Sequence, residues 1–216
     1  MKKLPNGAFA LEHSRGANGY VLPLRDGYAV VDPGMKAGAQ SVIAELTAAG
    51  ILESVHHILL TDYDLDHAGA ALALAEETGA QLWIGRADAD ILAGRQPAGT
   101  FSRSITSSIG RPKLPDTVHF LGESPGFPAD ITALGTPGHT PGHYAFRWAD
   151  SVFCGDAVRV RKDGTLKQFP RLLITDKVAA LASTLVLESL DVGWICPGHG
   201  NVTARHRMSQ KPRTRP

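Results

Sequence analysis

The chain has 216 residues, of which 43% are hydrophobic and 20% charged, and its formal net charge is +1. These ordinary values exclude a disordered or fibrous chain, and the balanced charge does not indicate a nucleic-acid or acidic-membrane partner. The length suits one domain of ample size or two small ones.

The beginning of the chain does not predict a signal peptide. Lys2 and Lys3 could open one, but Leu4-Pro5-Asn6-Gly7 interrupts the apolar core that should follow. No stretch approaches the roughly 20 apolar residues that cross a bilayer. We therefore expect a cytoplasmic protein.

The first half predicts strands alternating with helices. Apolar runs indicate the strands, and apolar residues at helical spacing indicate the helices. The predicted elements are strands within 9–24 and at 28–31, a helix over 37–49, a strand at 57–60, a helix to about residue 78 and a strand at 81–84. This succession implies helices packed on the outside of a sheet.

The pattern fails between residues 94 and 115, where Gly, Pro, Ser and Thr predict a long surface loop of the kind that often binds ligands. The predicted elements beyond it are strands at 117–121, 130–134, 143–148 and 151–154, a helix over 176–190 with Val178, Leu181, Leu185 and Leu190 at apolar positions, and a strand at 192–196. We expect one domain over 1–216, with two similar halves of about 1–120 and 121–205 and a basic tail over 206–216.

The two cysteines, Cys154 and Cys196, lie in apolar runs that are typical of strands. This placement favours buried free thiols over a disulfide framework or a four-sulfur zinc site.

One stretch is unusually acidic. The apolar run Ile58-Leu59-Leu60 leads into Thr61-Asp62-Tyr63-Asp64-Leu65-Asp66-His67, and an Ala-rich segment follows. In an extended chain the three aspartates would point the same way, and their charges would repel without a cation or a basic partner. We therefore expect chemistry at this strand end.

Three further strand ends carry a possible metal ligand next to Gly or Pro. Glycine permits close backbone approach and proline stiffens a loop, which suits a residue that must be aimed. These segments are Gly135-Thr136-Pro137-Gly138-His139-Thr140-Pro141-Gly142-His143, Phe153-Cys154-Gly155-Asp156 and Cys196-Pro197-Gly198-His199-Gly200. The four strand ends together predict a cluster of imidazoles and carboxylates at one edge of a sheet.

With these motifs the chain resembles the metallo-β-lactamase-fold hydrolase family. The resemblance extends from Asp32-Pro33-Gly34, which is similar to the family's early Asp-x-Gly turn, to Pro197-Gly198-His199-Gly200. It implies an α/β protein with an αββα sandwich, two β-sheets face to face with helices outside. It also implies a small-molecule substrate and a usually dinuclear metal site, with zinc as the expected metal and manganese or iron as alternatives.

The resemblance also implies a ligand set. The family's His-x-His-x-Asp-His motif falls on Asp62, Asp64, Asp66 and His67. One metal would be bound by Asp62, Asp64, His139 and Asp156, and the other by Asp66, His67, His199 and Asp156. Asp66 would also orient the nucleophile as the catalytic residue, while Asp32 and His143 would support the site without binding metal.

The chain departs from the family pattern where Asp62 and Asp64 replace two histidines. Carboxylate oxygens favour harder ions such as manganese or iron, and their charge weakens Lewis acidity. Three outcomes remain open: an altered dinuclear site, a single metal at the intact position, or a non-catalytic protein with a degenerate site.

The expected reaction is attack by a metal-activated water on an ester-like bond in a lactone, carboxylic ester, thioester or phosphoester. Glyoxalase-type thioester hydrolases usually carry a longer C-terminal part, and β-lactamases are usually exported, so both are disfavoured. Residues that could frame an anion-accepting pocket are Phe101, Arg103, Arg159, Arg161, Phe169 and Arg171. The alternative is that these arginines are simply exposed.

Two rival interpretations explain less. The run into Asp62 resembles haloacid-dehalogenase-type phosphatases, with Asp62 as nucleophile, but it leaves His139 and His199 unexplained. A calcium loop would need Gly where His67 stands and Glu where Ala73 stands.

Overall fold

The computed structural model describes residues 1–97 and 111–205, and it contains two β-sheets that pack face to face. The first sheet has the strand order β1-β2-β3-β4-β5-β6-β7 and the second has the order β14-β13-β10-β9-β8. A separate two-stranded hairpin, β11-β12, follows the second sheet's β10 in the chain.

The strands are β1 Lys2–Lys3, β2 Phe9–Ala10, β3 Tyr20–Leu24, β4 Gly27–Val31, β5 Val55–Leu59, β6 Gln81–Ile84, β7 His119–Phe120, β8 Ile131–Gly135, β9 Tyr144–Trp148, β10 Ser151–Gly155, β11 Arg159–Val160, β12 Leu166–Lys167, β13 Trp194–Pro197 and β14 Thr203–Ala204. The helices are α1 Ala39–Ala48, α2 Leu65–Ala68, α3 Ala71–Thr78, α4 Arg86–Leu92 and α5 Lys177–Ser189, with short 3₁₀ turns at Lys36–Gly38, Leu52–Ser54 and Arg171–Leu173.

Three apolar layers hold the sandwich together. The outer layer of the first sheet packs Ile58 and Leu82 against α1 and α3. The middle layer lies between the two sheets and contains Trp83, Phe146 and Phe153. The outer layer of the second sheet joins it to α5. Where both faces of a central strand are covered, as at residues 58–59, 82–84 and 152–154, the chain is a continuous apolar run, as is typical of buried strands.

The strand directions bring several polar strand ends to one edge. β4 pairs with β5 in parallel, and β10 pairs with β13 in parallel. The two sheets meet at this edge, where the Tyr144 N–H donates to the Thr61 carbonyl at 2.8 Å. The segments that follow β4, β5, β8, β10 and β13 therefore surround one site.

The structure confirms the mixed α/β fold with four layers, and most of the predicted elements. It corrects the prediction of strands throughout 9–24, because residues 11–19 form a loop between β2 and β3. The predicted helix to residue 78 is two helices, α2 and α3. Helix α4 and the β11-β12 hairpin were not predicted. Part of the predicted 94–115 loop, with Phe101 and Arg103, and the basic tail 206–216 lie outside the described residues.

Helix α5 has the predicted position but not the orientation that its apolar pattern indicates. Its buried residues are small, polar or both, apart from Leu187. By contrast, Val178 is 81% exposed, Leu181 55% and Leu185 57%. Apart from Leu187, the large aliphatic side chains of this helix face away from the core.

Cys154 and Cys196 are buried free thiols, as predicted. Burial raises the pKa of Cys196 to about 12, so this thiol stays protonated at neutral pH. No helix of the described chain is long and apolar enough to span a bilayer.

The turn from β6 into α4 depends on the absence of a side chain at Gly85. A Cβ there would lie 2.0 Å from the Gly142 carbonyl oxygen, which is backbone and cannot move independently. We expect Gly85→Ala to lower the free energy of unfolding by about 1–3 kcal/mol or more, because the two loops must separate. Gly135→Ala is the matched control, since its Cβ would meet nothing closer than 3.9 Å. Denaturant unfolding of both variants tests this, and equal losses would contradict it.

Candidate metal centre

Two clusters of possible metal ligands lie at the shared edge of the sheets. The first contains Asp62, Asp64 and His139, and the second contains Asp66, His67 and His199. Within each cluster the ligand atoms all lie within 4.8 Å of one another. The strand ends that the sequence predicts to converge do converge.

Asp156 lies between the two clusters. Its Oδ2 is 3.5 Å from the Nε2 atoms of both His139 and His199, and its Oδ1 is 3.7 Å from His67 Nε2. Burial alone would raise the pKa of Asp156, but the neighbouring histidines outweigh burial and lower it. One carboxylate thus contacts both clusters, as a bridging ligand would.

The acidic stretch is not extended, which corrects the expectation that its three aspartates point the same way. Asp64 is the N-cap residue of α2, and Asp66 lies in that helix's first turn. The helix divides the carboxylates: Asp64 Oδ2 lies 3.1 Å from His139 Nε2, whereas Asp66 Oδ2 lies 3.1 Å from His199 Nε2. The start of α2 therefore separates the ligands into two groups.

Asp32 fixes the orientation of His67. Its Oδ1 accepts from the Thr61 N–H and its Oδ2 from the Thr61 hydroxyl, and His67 Nδ1 lies 2.9 Å from Oδ2. When the ring proton is on Nδ1, Nε2 is unprotonated and its lone pair is directed toward the cluster, as in a metal-binding histidine. Asp32 has φ +49°, a strained value for a residue other than glycine. The backbone is thus held in place for this contact.

His143 is positioned by hydrogen bonds that leave it little freedom to bind metal. Its Nε2 accepts the Asp156 N–H at 3.2 Å, so the ring proton is on Nδ1 and is directed to Thr136 Oγ1 at 2.8 Å. Burial, with the charge of His139, holds the pKa of His143 well below its usual value. A neutral His143 can fix the backbone of Asp156.

Asp62 is fully buried, and only one of its two carboxylate oxygens accepts a hydrogen bond from the described residues. Its Oδ1 accepts the Asp64 N–H at 2.9 Å, whereas Oδ2 has no hydrogen-bond partner among the described residues. Burial raises the pKa of Asp62 well above its usual value, and the charges of Asp64 and Asp156 add to the effect. A buried carboxylate of this kind holds a proton until a cation replaces it.

The carboxylates around His67 oppose the effect of burial on its imidazole. Burial alone would lower its pKa, but the carboxylates of Asp62, Asp32 and Asp156 raise it well above the ordinary value. The His67 Nε2 has no hydrogen-bond partner among residues that the structure describes.

The His139 loop is anchored by a residue that the sequence did not indicate. Asp88 of α4 is fully buried; its Oδ2 accepts from the Thr140 hydroxyl and its Oδ1 from the Gly142 N–H, both at 2.7 Å. Thr175 Oγ1 donates to the His139 carbonyl on the other side. Asp88 sits in an ordinary helical pattern more than 50 residues away from its partners, so nothing local marks it.

The His199 loop is held by the unpredicted loop at 11–19. The Asn18 side-chain amide donates to the carbonyls of Pro197 and Gly200. The backbone N–H of Asn18 donates to the Gly198 carbonyl at 2.7 Å. A Cβ on Gly198 would lie 2.6 Å from Asp156 Oδ1. The turn signal Ala17-Asn18-Gly19 could have indicated this loop.

Phe169 is the one predicted substrate-binding residue with a ring contact to the cluster among those that the structure describes. Its ring centroid lies 5.2 Å from that of His139 and 6.5 Å from that of His199. Arg159, Arg161 and Arg171 are exposed. A role for these arginines stays a prediction.

The donor set fits divalent metal ions. Each cluster combines carboxylate oxygens with imidazole nitrogens, and both kinds of atom bind such ions. The buried atoms without hydrogen-bond partners among the described residues include Asp62 Oδ2, His67 Nε2 and Asp156 Oδ1. Native proteins rarely leave such atoms unsatisfied, which supports a bound cation.

The chain belongs to the metallo-beta-lactamase superfamily, whose family model matches residues 15–199. It is 29% identical to a hydroxyacylglutathione hydrolase of Cereibacter sphaeroides, covering 86% of this chain and 67% of the relative, and 33% identical to one of a Shewanella species, covering 60% and 42%. It is 28% identical to the hydroxyacylglutathione hydrolase GloC of Haemophilus influenzae, covering 87% and 85%.

Solved structures agree with this assignment. TTHA1623 in a di-iron-bound form superposes with a TM-score of 0.71 at 27% identity, covering 91% of this chain and 94% of that one. BLEG-1, a B3 metallo-beta-lactamase, superposes with a TM-score of 0.67 at 22% identity, covering 91% and 93%, a likeness of fold alone. The family and the hydrolase relatives define the class of the protein as a metal-dependent hydrolase, without defining the bond that it cleaves.

Removal of the Asp88 carboxylate tests the anchor of the His139 loop. We expect Asp88→Ala to lower the free energy of unfolding by about 2–3 kcal/mol and to reduce bound metal, because two buried donors lose their acceptor. Asp88→Asn should cost about 1 kcal/mol or less, since an amide can still accept from Gly142 and donate to the Thr140 hydroxyl. Denaturant unfolding and metal analysis check both; an Asp88→Ala variant as stable as the wild type would contradict the assignment.

Proposed function

We propose that the protein is a dinuclear metal-dependent hydrolase that cleaves a thioester of a small molecule. The observation that carries the metal part is the pair of ligand clusters that share Asp156. The thioester is supported by the hydroxyacylglutathione hydrolase relatives. The GloC match covers 85% of that relative, so the hydroxyacylglutathione hydrolase relatives include one of similar extent.

The proposed first site uses Asp62, Asp64 and His139, and the second uses Asp66, His67 and His199, with Asp156 in both. Divalent ions bound there supply Lewis-acid activation of a water and of the scissile carbonyl. The replacement of two histidines by Asp62 and Asp64 makes the first site rich in oxygen. We therefore propose manganese or iron at the first site and zinc or iron at the second.

The side chains of the protein have distinct roles in this proposal. Asp66 accepts a hydrogen bond from the attacking water and orients it. Contact with His199 and the charge of His67 outweigh burial and lower the pKa of Asp66, so its carboxylate is ready to accept. Asp32 keeps the His67 tautomer, and Phe169 covers the imidazoles on one side.

The first test combines metal content with a substrate panel. Protein purified without chelator should contain two ions per chain and should hydrolyse a hydroxyacylglutathione thioester faster than a lactone, a carboxylic ester or a phosphodiester. Chelator should abolish the activity, and added Mn²⁺, Fe²⁺ or Zn²⁺ should restore it. Protein that binds no metal and hydrolyses none of the panel would favour a non-catalytic family member instead.

Metal preference can be tested separately from activity. Loading with equal concentrations of Zn²⁺ and Mn²⁺ should give mixed occupancy in the wild type, and Asp64→His should raise the zinc share, because an imidazole replaces a hard oxygen donor. Asp116→His, the same change at an exposed residue, is the control. Elemental analysis gives the ratio, and an unchanged zinc share in Asp64→His would exclude Asp64 as a ligand.

Metal binding should be coupled to proton release. Because the pKa values of Asp62 and His67 are raised in the metal-free cluster, both groups hold protons below their raised values, and a metal must displace these protons. Apparent metal affinity should therefore rise from pH 6 to pH 8. Calorimetric titration in two buffers of different ionisation enthalpy measures the protons released; an affinity independent of pH, with no proton release, would contradict these ligand roles.

A further inference from the structure

We infer that the outward face of α5 is an interface at which two copies of this chain associate, with the two α5 helices antiparallel. This face, the α5 stripe, consists of Val178, Leu181, Ala182, Leu185 and Val186. All five residues are exposed. They recur at spacings of three and four residues, the spacing of helical positions that pack against a neighbouring helix.

The α5 stripe reverses the usual orientation of a surface helix. Such a helix normally turns its apolar side to the core and its polar side to water. Here Ser183 and Thr184 are buried, whereas Val178 is 81% exposed and Leu185 57%. A contiguous exposed aliphatic face of this kind typically marks an interaction site.

The polar inward face has its own function. Ser183 Oγ donates to the Pro137 carbonyl, and the Asp176 N–H donates to the Gly138 carbonyl. A Cβ on Gly138 would lie 2.4 Å from the Ala180 Cα, so the helix backbone and the loop backbone are in direct contact. The inner side of α5 thus supports the loop that carries His139, and the large aliphatic side chains of the helix other than Leu187 lie on its outer side.

A second copy would cover the apolar face of the helix and would also bring opposite charges near one another. Within α5 the charged residues are Lys177 and Glu188, at opposite ends, and the carboxylate of the N-cap residue Asp176 is occupied by the N–H groups of Val178 and Ala179. A two-fold axis through the small residue Ala182 would pack Val178 of one copy near Val186 of the other. At a rise of 1.5 Å per residue, Lys177 and Glu188 would lie about 7.5 and 9 Å from the axis along the helix, so Lys177 of one copy would be level with Glu188 of the other to within about one residue.

Other occupants fit the α5 stripe less well. Helices that lie on membranes are rich in Lys and Arg and carry Trp or Phe on the apolar side, whereas α5 has one lysine and no aromatic residue. The chain after Arg205, with the sequence His-Arg-Met-Ser-Gln-Lys-Pro-Arg-Thr-Arg-Pro, offers a single large aliphatic side chain for burial. Stable interfaces bury roughly 800 Å² per partner, which is more than five side chains can supply. The α5 stripe would therefore form the apolar centre of the interface, and surrounding polar residues would supply the remaining area.

Sedimentation of the full chain over a concentration range of about 1–200 µM tests the proposal, since a dimer depends on protomer concentration. We expect a monomer–dimer equilibrium or a constitutive dimer. Leu181→Glu should raise the dimer dissociation constant at least about tenfold, because two carboxylates would be buried in an apolar contact. Ala44→Glu adds the same charge to an exposed position of α1 and should have no effect.

Charge exchange distinguishes a second copy from any other occupant. Lys177→Glu or Glu188→Lys alone should raise the dissociation constant about two- to fivefold, and the double variant should restore it, because the opposite charges are re-formed. Metal content that stays at the wild-type value shows that each variant folds. A wild-type chain that is monomeric throughout, a dimer that Leu181→Glu leaves intact, or a double variant that is not restored would each overturn the proposal.

Discussion

The structure depends on the enclosure of several carboxylates with several imidazoles at one edge of a two-sheet sandwich. Asp62 is fully buried and Asp156 nearly so, and these two contact His139 and His67, which are also buried. In a low-dielectric site such charges are costly unless protons or cations balance them. Without metal, bound protons provide part of the balance, and in the proposed metal-bound form the same side chains are the ligands. Much of the surrounding backbone serves to hold these groups together despite their mutual repulsion.

The supports of the site come from distant parts of the chain. Asp32, at a strained backbone position, fixes His67; Asp88 anchors the His139 loop; and Asn18 clamps the His199 loop. None of the three belongs to the two ligand clusters. Both sheets, the helix α4 and the 11–19 loop therefore contribute to one centre, which explains why the site requires the whole sandwich. The glycines at its margins, such as Gly198, allow backbone to pass where a side chain would collide with a ligand.

Much of this arrangement was predictable from the sequence, because strands and ligand motifs are local patterns. The apolar run before Asp62 and the Gly-rich turns around His139 and His199 identify the strand ends, and the family resemblance that these motifs carry implied the four-layer fold. The division of the acidic stretch into two clusters was not predictable, since it depends on where α2 begins. Asp88 was also missed, because its partners lie far along the chain. The pattern of α5 was misleading for a physical reason: its small polar residues pack closely against the His139 loop, and its large aliphatic residues other than Leu187 face outward.

The replacement of two imidazoles by carboxylates distinguishes this chain from the usual family pattern. Asp64 and Asp62 lie where first-site ligands are needed, and with His139 they form a compact cluster. We propose that they bind metal in place of histidines. Anomalous diffraction from metal-loaded crystals, collected at the manganese, iron and zinc absorption edges, would locate each ion and its ligands. We predict two peaks, one coordinated by Asp62, Asp64 and His139 and the other by Asp66, His67 and His199, with Asp156 bound to both. A single peak at the second cluster, with Asp62 and Asp64 uncoordinated, would contradict it.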